Sequence, residues 1–253
     1  MAHRYFMRLS YRGEPFHGWQ CQPGAISVQE VIEAALSKVL RSPMKIVGAG
    51  RTDAGVNARM MVAHFDTDTP LPLPAERLVG ALNSLVGRDI AIHDVYEVDP
   101  GLHARFDATS RTYHYYAVCG KSPFLYPLSW RAPQGLDYEM MNRAAQLLLT
   151  TSDFTSFAKL HTDAKTNICK VTHAQWHRVA LPDPDTEAWV FIITADRFLR
   201  NMVRAVVGTL VDVGRGKLSV DDFAAIIERR DRCAAGTSMP PQALYLWDVT
   251  YPE

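Results

Sequence analysis

What most constrains the fold of this 253-residue chain is that its apolar residues keep changing period. In "RYFMRLSY", Tyr5, Met7, Leu9 and Tyr11 fall on one face of a strand and Arg4, Arg8 and Ser10 on the other. Helical spacing takes over at Val28, Val31, Ile32, Ala35, Leu36, Val39 and Leu40, behind an S-x-x-E capping box of Ser27 and Glu30 and ahead of Pro43. The strand "KIVGAG" then enters a polar loop and "MMVAHFDT" leaves it. Pro74 opens a second helix, with Leu78, Val79, Leu82 and Leu85 closed by Gly87, and "IAIHDVYEV" returns as a strand. This is the β-α-β-β-α-β order of a split βαβ unit.

The remainder has the same ingredients. The spacing predicts a strand "RTYHYYAV", a helix from about Asp137 to Leu149, strands "NICKVTHAQWHRV" and "EAWVFIITA", helices from about Phe198 and Ser219, and a last strand "ALYLWDVTY". Strands and helices mixed without a regular βαβα rhythm indicate α+β, with two similar halves, residues 1–105 and 106–253, and mainly antiparallel sheets. At this length a chain buries roughly 75% of its unfolded surface, so a core forms without staples.

Hydrophobic residues make up 47% and charged residues 21% of the chain, and no run of 18 apolar residues offers a membrane span. The opening "MAHRYFMRLSY" has a strand pattern and lacks the apolar stretch of a signal peptide, so a cytoplasmic protein is expected. Four dispersed cysteines form no C-x-x-C pair and are expected to be reduced and mostly structural. With 27 basic and 27 acidic residues, any polyanion must bind a local patch. Two stretches are basic: Arg41, Lys45, Arg51 and Arg59 around Asp53, and Arg197, Arg200, Arg204, Arg215 and Lys217. Compensating acid lies elsewhere, as in the Pro-punctuated loop "LPDPDTE", Leu181 to Glu187.

No metal site is expected, because His173 and His177 read as strand residues about 13 Å apart along the chain, too far to share one ion. "GAGRTDAG" lacks the third glycine of a dinucleotide fingerprint, and no P-loop is present. "VGRGK" reads as a helix stop. Three groups remain. Asp53, between Arg51 and Arg59, is a carboxylate that could act as nucleophile or base, although its neighbours equally describe a plain Asp-Gly type turn. In "RFDATSRTYHYY", Arg105 precedes a strand on which Tyr113 and Tyr115 share a face beside Arg111. Such aromatics either stack a nucleobase or simply pack. Arg197, Arg200 and Arg204 form a row on a mostly apolar helix, where a buried arginine needs a partner.

Spaced motifs running almost end to end carry a resemblance: "YRGEPFHGWQCQPGAISVQEVIEAAL", "GRTDAGVNA", "HARFDATSRTYHYY", "FLRNMVRAVVGTLVDVGRGK" and "PPQALYLWDVTY". The chain resembles the tRNA pseudouridine synthase A family. That resemblance implies two similar α+β halves with an active-site cleft between them, and a homodimer that grips one tRNA. It further implies that Asp53 is the essential carboxylate, that Tyr113 lies against the target uracil, that Arg204 pairs with Asp53, and that Arg51 helps displace the target nucleotide. Arg59, Arg105 and Arg111 join these as candidate RNA contacts. The implied reaction isomerises uridine at positions 38 to 40 of the anticodon stem-loop. It involves neither redox chemistry nor hydrolysis, so no cofactor is expected.

Members commonly have histidine where Asn57 stands, aspartate where Arg12 stands and glycine where Ala243 stands, departures that bear on RNA contact. Two other readings stay open on sequence: a tRNA-binding protein that remodels the stem-loop without chemistry, and an isomerase with another RNA target. An intact Asp53, Tyr113 and Arg204 argue against the first, since a pure binder has no need of an ionised aspartate against phosphates.

Overall fold

The first strand, β1 (His3–Tyr11), follows its alternation: Tyr5, Met7, Leu9 and Tyr11 are buried, while Arg8 is exposed. Helix α1 (Val28–Leu40) starts where Ser27 Oγ accepts from Glu30 N at 3.2 Å, and ends in a left-handed residue at Arg41. The strand foreseen in "KIVGAG" shortens to β2 (Val47–Gly48), beside the long β3 (Asn57–Thr67). Helix α2 (Ala75–Asn83) and strand β4 (Ile90–Val98) complete the β-α-β-β-α-β order. The chain continues through β5 (Ser110–Cys119), β6 (Trp130–Ala132), α3 (Tyr138–Gln146), β7 (Val171–Val179), β8 (Glu187–Ala195), α4 (Met202–Gly214), α5 (Val220–Arg229) and β9 (Leu244–Thr250). This computed structural model describes residues 3–159, 165–180 and 186–252. Most of the predicted polar loop, residues 181–185, lies outside the described residues.

The chain divides into two compact units, Met1–Thr109 with Leu246–Glu253, and Ser110–Tyr245. In the first, β1 pairs antiparallel with both β3 and β4, and β9 follows β3 in the sheet order. The register sets Tyr5 opposite Phe65, Met7 opposite Ala63 and Leu9 opposite Met61, so these side chains share one buried face. Phe6 lies on the other face, with its ring 6.3 Å from His64, 6.1 Å from Tyr96 and 5.2 Å from Tyr251. In the second unit β8 pairs antiparallel with β5 and β7, while β6 adds a short parallel partner to β5. Helix α4 is buried over nearly its whole length, and α3 and α5 pack against it. The fold class is α+β with mainly antiparallel pairing.

Two expectations change. The helix expected from Phe198 begins at Met202, because Asn201 adopts a left-handed conformation with φ 66°. Arg197 and Arg200 therefore precede the helix, and the row of three arginines on one helix face does not form. His173 and His177 do lie on β7, but their rings lean together, with centroids 5.9 Å apart and planes 4° from parallel. The spacing along the strand overstated the ring separation, because side chains of one strand face can lean toward each other. Burial, then the charge of His177, lowers the pKa of His173. Among the described residues, no group of three or more His, Cys, Asp or Glu could hold a metal ion, and no helix is long and apolar enough to cross a membrane.

Candidate active site

The loop between β2 and β3 carries Asp53, and the segment following β1 fixes it through its backbone. Val56 N donates to Asp53 O at 3.1 Å, with Gly55 at φ 78°, so the plain turn that the sequence suggests does form. Trp19 N donates to Thr52 O at 3.2 Å and Gly55 N to Phe16 O at 3.4 Å. The buried Thr52 hydroxyl bonds Tyr11 Oη at 2.8 Å. Gly18, at φ 92°, backs so closely on this loop that a Cβ there would lie 2.6 Å from Thr52 O. Asp53 is thus half-buried on a fixed turn, with Arg51 and Ala54 exposed on either side of it.

Two of the three departures find their reason in the same unit. Asn57 Oδ1 accepts from Gly13 N at 2.8 Å, so its carboxamide helps fasten the loop before α1 to the start of β3. Arg12 pairs with Asp89 at 2.9 Å and Glu14 at 3.2 Å, which balances its charge. Ala243 is fully buried, in a short 3-10 turn before β9.

The remaining first-unit candidates take separate places. Arg59 Cζ lies 4.8 Å from the Trp247 ring centroid, and Nη1 donates to Trp247 O at 3.4 Å. Arg105 stands exposed in the turn after β4. Within the basic stretch, Lys45 is committed to the buried Glu33, 2.8 Å away.

In the second unit, Tyr113 projects from β5 opposite Ile193, and its ring meets Phe198 edge-on at 5.0 Å. Arg111 Nη1 donates to Asp196 O at 2.8 Å. Arg204 occupies the first turn of α4, where its Nε donates to Met239 O while its own carbonyl accepts from Met239 N at 3.1 Å. Tyr115 Oη donates to the next carbonyl, Pro240 O, at 3.2 Å. Burial pushes the Tyr115 pKa up, against the opposing charge of Arg204. The segment before β9 is laid tightly on α4: a Cβ on Gly208 would come within 1.9 Å of Thr237 O, and Gly236 N donates to Thr209 Oγ1 at 2.9 Å. The structure thus sets Arg204 against the 239–240 backbone and Tyr113 against Phe198. Arg215 and Lys217 flank Asp212 at 3.8 and 3.7 Å, which offsets part of the second basic stretch.

Sequence reasoning passed over His64 and His103. Neither lies in a metal-binding spacing, and their role depends on contacts between residues distant along the chain. His64 Nδ1 accepts from Ala104 N at 3.1 Å, and burial, followed by the charge of Arg4, lowers its pKa to about 4.

The chain matches the tRNA pseudouridine synthase family over residues 9–107 and 144–252. Similar chains include the tRNA pseudouridine synthase A of Parabacteroides distasonis, 54% identical over 250 residues, covering 99% of this chain and 96% of the relative. That of Bacteroides fragilis is 54% identical with 99% and 97% covered, and that of Bacillus subtilis is 40% identical with 96% and 97% covered.

Proposed function

The chain belongs to the tRNA pseudouridine synthase family, and on that premise we propose that it isomerises uridine to pseudouridine in the anticodon stem-loop of tRNA, at positions 38 to 40, with Asp53 as the essential carboxylate. The observation that carries this reading is the mounting of Asp53. Backbone hydrogen bonds with Trp19 and Phe16 and the Tyr11 hydroxyl hold the turn, and its aspartate is left half-buried. A carboxylate held in this way needs little reorganisation at the moment of reaction.

The reaction breaks the bond from C1′ to N1 and forms one from C1′ to C5 of the same base. The proton on C5 must then leave, and N1 finishes with a proton, so atoms balance without an external reagent. Asp53 serves this by attacking C6, by attacking C1′, or by taking a ribose proton, all of which use one carboxylate. Arg204 is its cationic partner and keeps it charged. Tyr113 lies against the freed uracil while it turns. Arg51 helps draw the target nucleotide from its stack, a step that costs a few kcal/mol and is cheapest near a loop. Arg59, Arg105 and Arg111 contact the RNA around it, and a homodimer holds the tRNA.

The test is pseudouridine mapping on an unmodified tRNA with uridines in the anticodon stem-loop, using the native protein and Asp53→Ala, with binding measured for both. Conversion by the native protein alone, with binding retained in the variant, is the expected outcome. Binding by both without conversion would leave an RNA-binding protein with an idle motif, and conversion elsewhere in the tRNA would reassign the target.

A further inference from the structure

The turn that follows β4 presents to solvent an apolar ring that the fold leaves mostly uncovered. Phe106 is 76% exposed, yet the turn under it is tightly built. His103 N donates to Asp107 Oδ2 at 2.6 Å and Asp107 N to His103 O at 3.1 Å, which ties the ends of the turn together. Arg105 N and Phe106 N both point at His103 Nδ1, at 3.1 and 3.2 Å. A ring nitrogen that receives two N–H donors is an unprotonated acceptor, so this imidazole is neutral, with its proton on Nε2. Its ring stacks on Phe106 with centroids 4.3 Å apart and planes at 29°, and meets the His64 ring edge-on at 4.6 Å.

The backbone of the turn is pinned from the rest of the first unit as well. His64 Nδ1 accepts from Ala104 N, Tyr251 Oη donates to Ala104 O at 2.7 Å, and Arg4 Nη1 donates to Leu102 O at 2.9 Å. Phe106 is therefore a fixed ring that buries little of its area. Phe124 and Tyr126 are still more exposed, at 86% and 77%, but no ring stacking is found for either among the described residues.

The surroundings of Phe106 indicate what it meets. Arg105 Cζ lies 5.8 Å from its ring centroid, and the flanking residues Arg105 and Asp107 are exposed and charged. Charged residues on both sides in sequence suit the core of a protein–protein contact poorly, since such cores are depleted of charge. A rigid ring with a cation beside it suits an unpaired nucleobase and its phosphate. The Asp107 carboxylate is occupied by the His103 N–H.

We propose that Phe106, mounted on His103 with Arg105 alongside, is a stacking platform for an unpaired base of the RNA substrate, Arg105 taking the adjoining phosphate. This rests on the reading that the protein acts on tRNA, and it adds to the uracil site a second point at which the same RNA is gripped.

The experiment compares the native protein with Phe106→Leu, which keeps an apolar side chain without a π face, and Phe106→Trp, which keeps the face. The probe is an anticodon stem-loop RNA carrying 2-aminopurine at one loop position at a time. The native protein and Phe106→Trp are expected to quench one position on binding. Phe106→Leu is expected to lose that quench and to bind about 5- to 100-fold more weakly, with KM raised more than kcat is lowered. Phe106→Leu that binds and quenches like the native protein would overturn the platform. So would a shift in oligomer mass with RNA affinity unchanged, since the ring would then be a protein contact. Uridine conversion by the native protein is read on the same samples. Quenching without conversion keeps the platform and sinks the modification reading, whereas conversion that is indifferent to Phe106→Leu does the reverse.

Discussion

The two units hold their candidate functional side chains by different means. In the first, Asp53 rides on an irregular loop whose position is set by backbone against backbone, with Trp19, Phe16 and Gly18 behind it. In the second, Tyr113 and Arg204 project from regular elements, a central strand and the first turn of a buried helix, and contacts from Phe198 and Met239 trim their positions. The loop gains placement at the cost of room: a side chain on Gly18 has nowhere to go. The helix is backed as tightly, since a Cβ on Gly208 would lie 1.9 Å from Thr237 O, but the hydrogen bonds of strand and helix are internal, so only the candidate side chain depends on contacts outside its element.

The largest expected effect comes from the second unit. Arg204→Ala should lower turnover by about 10³-fold while tRNA affinity stays within about threefold, the mark of a group needed only in the transition state. Matched losses of turnover and affinity would count against its pairing with Asp53.

Gly18→Ala tests the backbone-held loop. Its methyl group would sit 2.6 Å from Thr52 O at a backbone φ of 92°, so the turn must shift. A displacement of about 1 Å is enough to cut turnover by about 10², and the melting temperature should fall by several degrees. An unchanged rate with only a lower melting temperature would show that placement of Asp53 is less exacting than the contrast implies.

Tyr113 then separates ring from hydroxyl. Tyr113→Phe should cost less than about tenfold in turnover and Tyr113→Ala about 10²-fold, since stacking survives only the first change. Equal losses would assign the role to the hydroxyl.

The smallest effect is on stability and sharpens the comparison from the acid side. With the folded pKa of His64 lowered to about 4 from 6.5, the unfolded chain takes up a proton first as pH falls. Stability is therefore full above about 6.5 and is lost through the window down to about 4, by on the order of 1–2 kcal/mol at its lower end once solvent screening is allowed for. Urea midpoints from pH 7 to pH 4.5 should decline, and in His64→Gln the decline should be shallower. A native protein with a flat profile would contradict the buried, neutral assignment of this ring.

Much of the fold was legible because burial follows spacing. Tyr5, Met7, Leu9 and Tyr11 are buried at every second residue, as are Ile32, Ala35 and Leu36 at helical intervals. The start of α4 was not legible. "FLRNMVR" continues an apolar stripe, and only the left-handed Asn201, whose Nδ2 reaches Ser238 in a remote segment, delays the helix. The half-buried aspartate was visible as a motif but could not be told from an ordinary turn. It is in fact an ordinary turn, and what sets it apart is the chain packed behind it.

Sequence alone determined the order and type of the elements, the strand faces that carry the core, and the motifs that mark the family, because each depends on residues near one another along the chain. Tertiary structure decided the rest. It returned Leu246–Glu253 to the first unit and buried Glu33 against Lys45 and the Ile46 N–H. It also leaned His177 onto His173 and mounted Phe106 on a histidine supported from β3. Each of these rests on contacts or side-chain directions that sequence spacing does not encode, and their free energy is realised only once the folded chain brings the partners within a few ångströms.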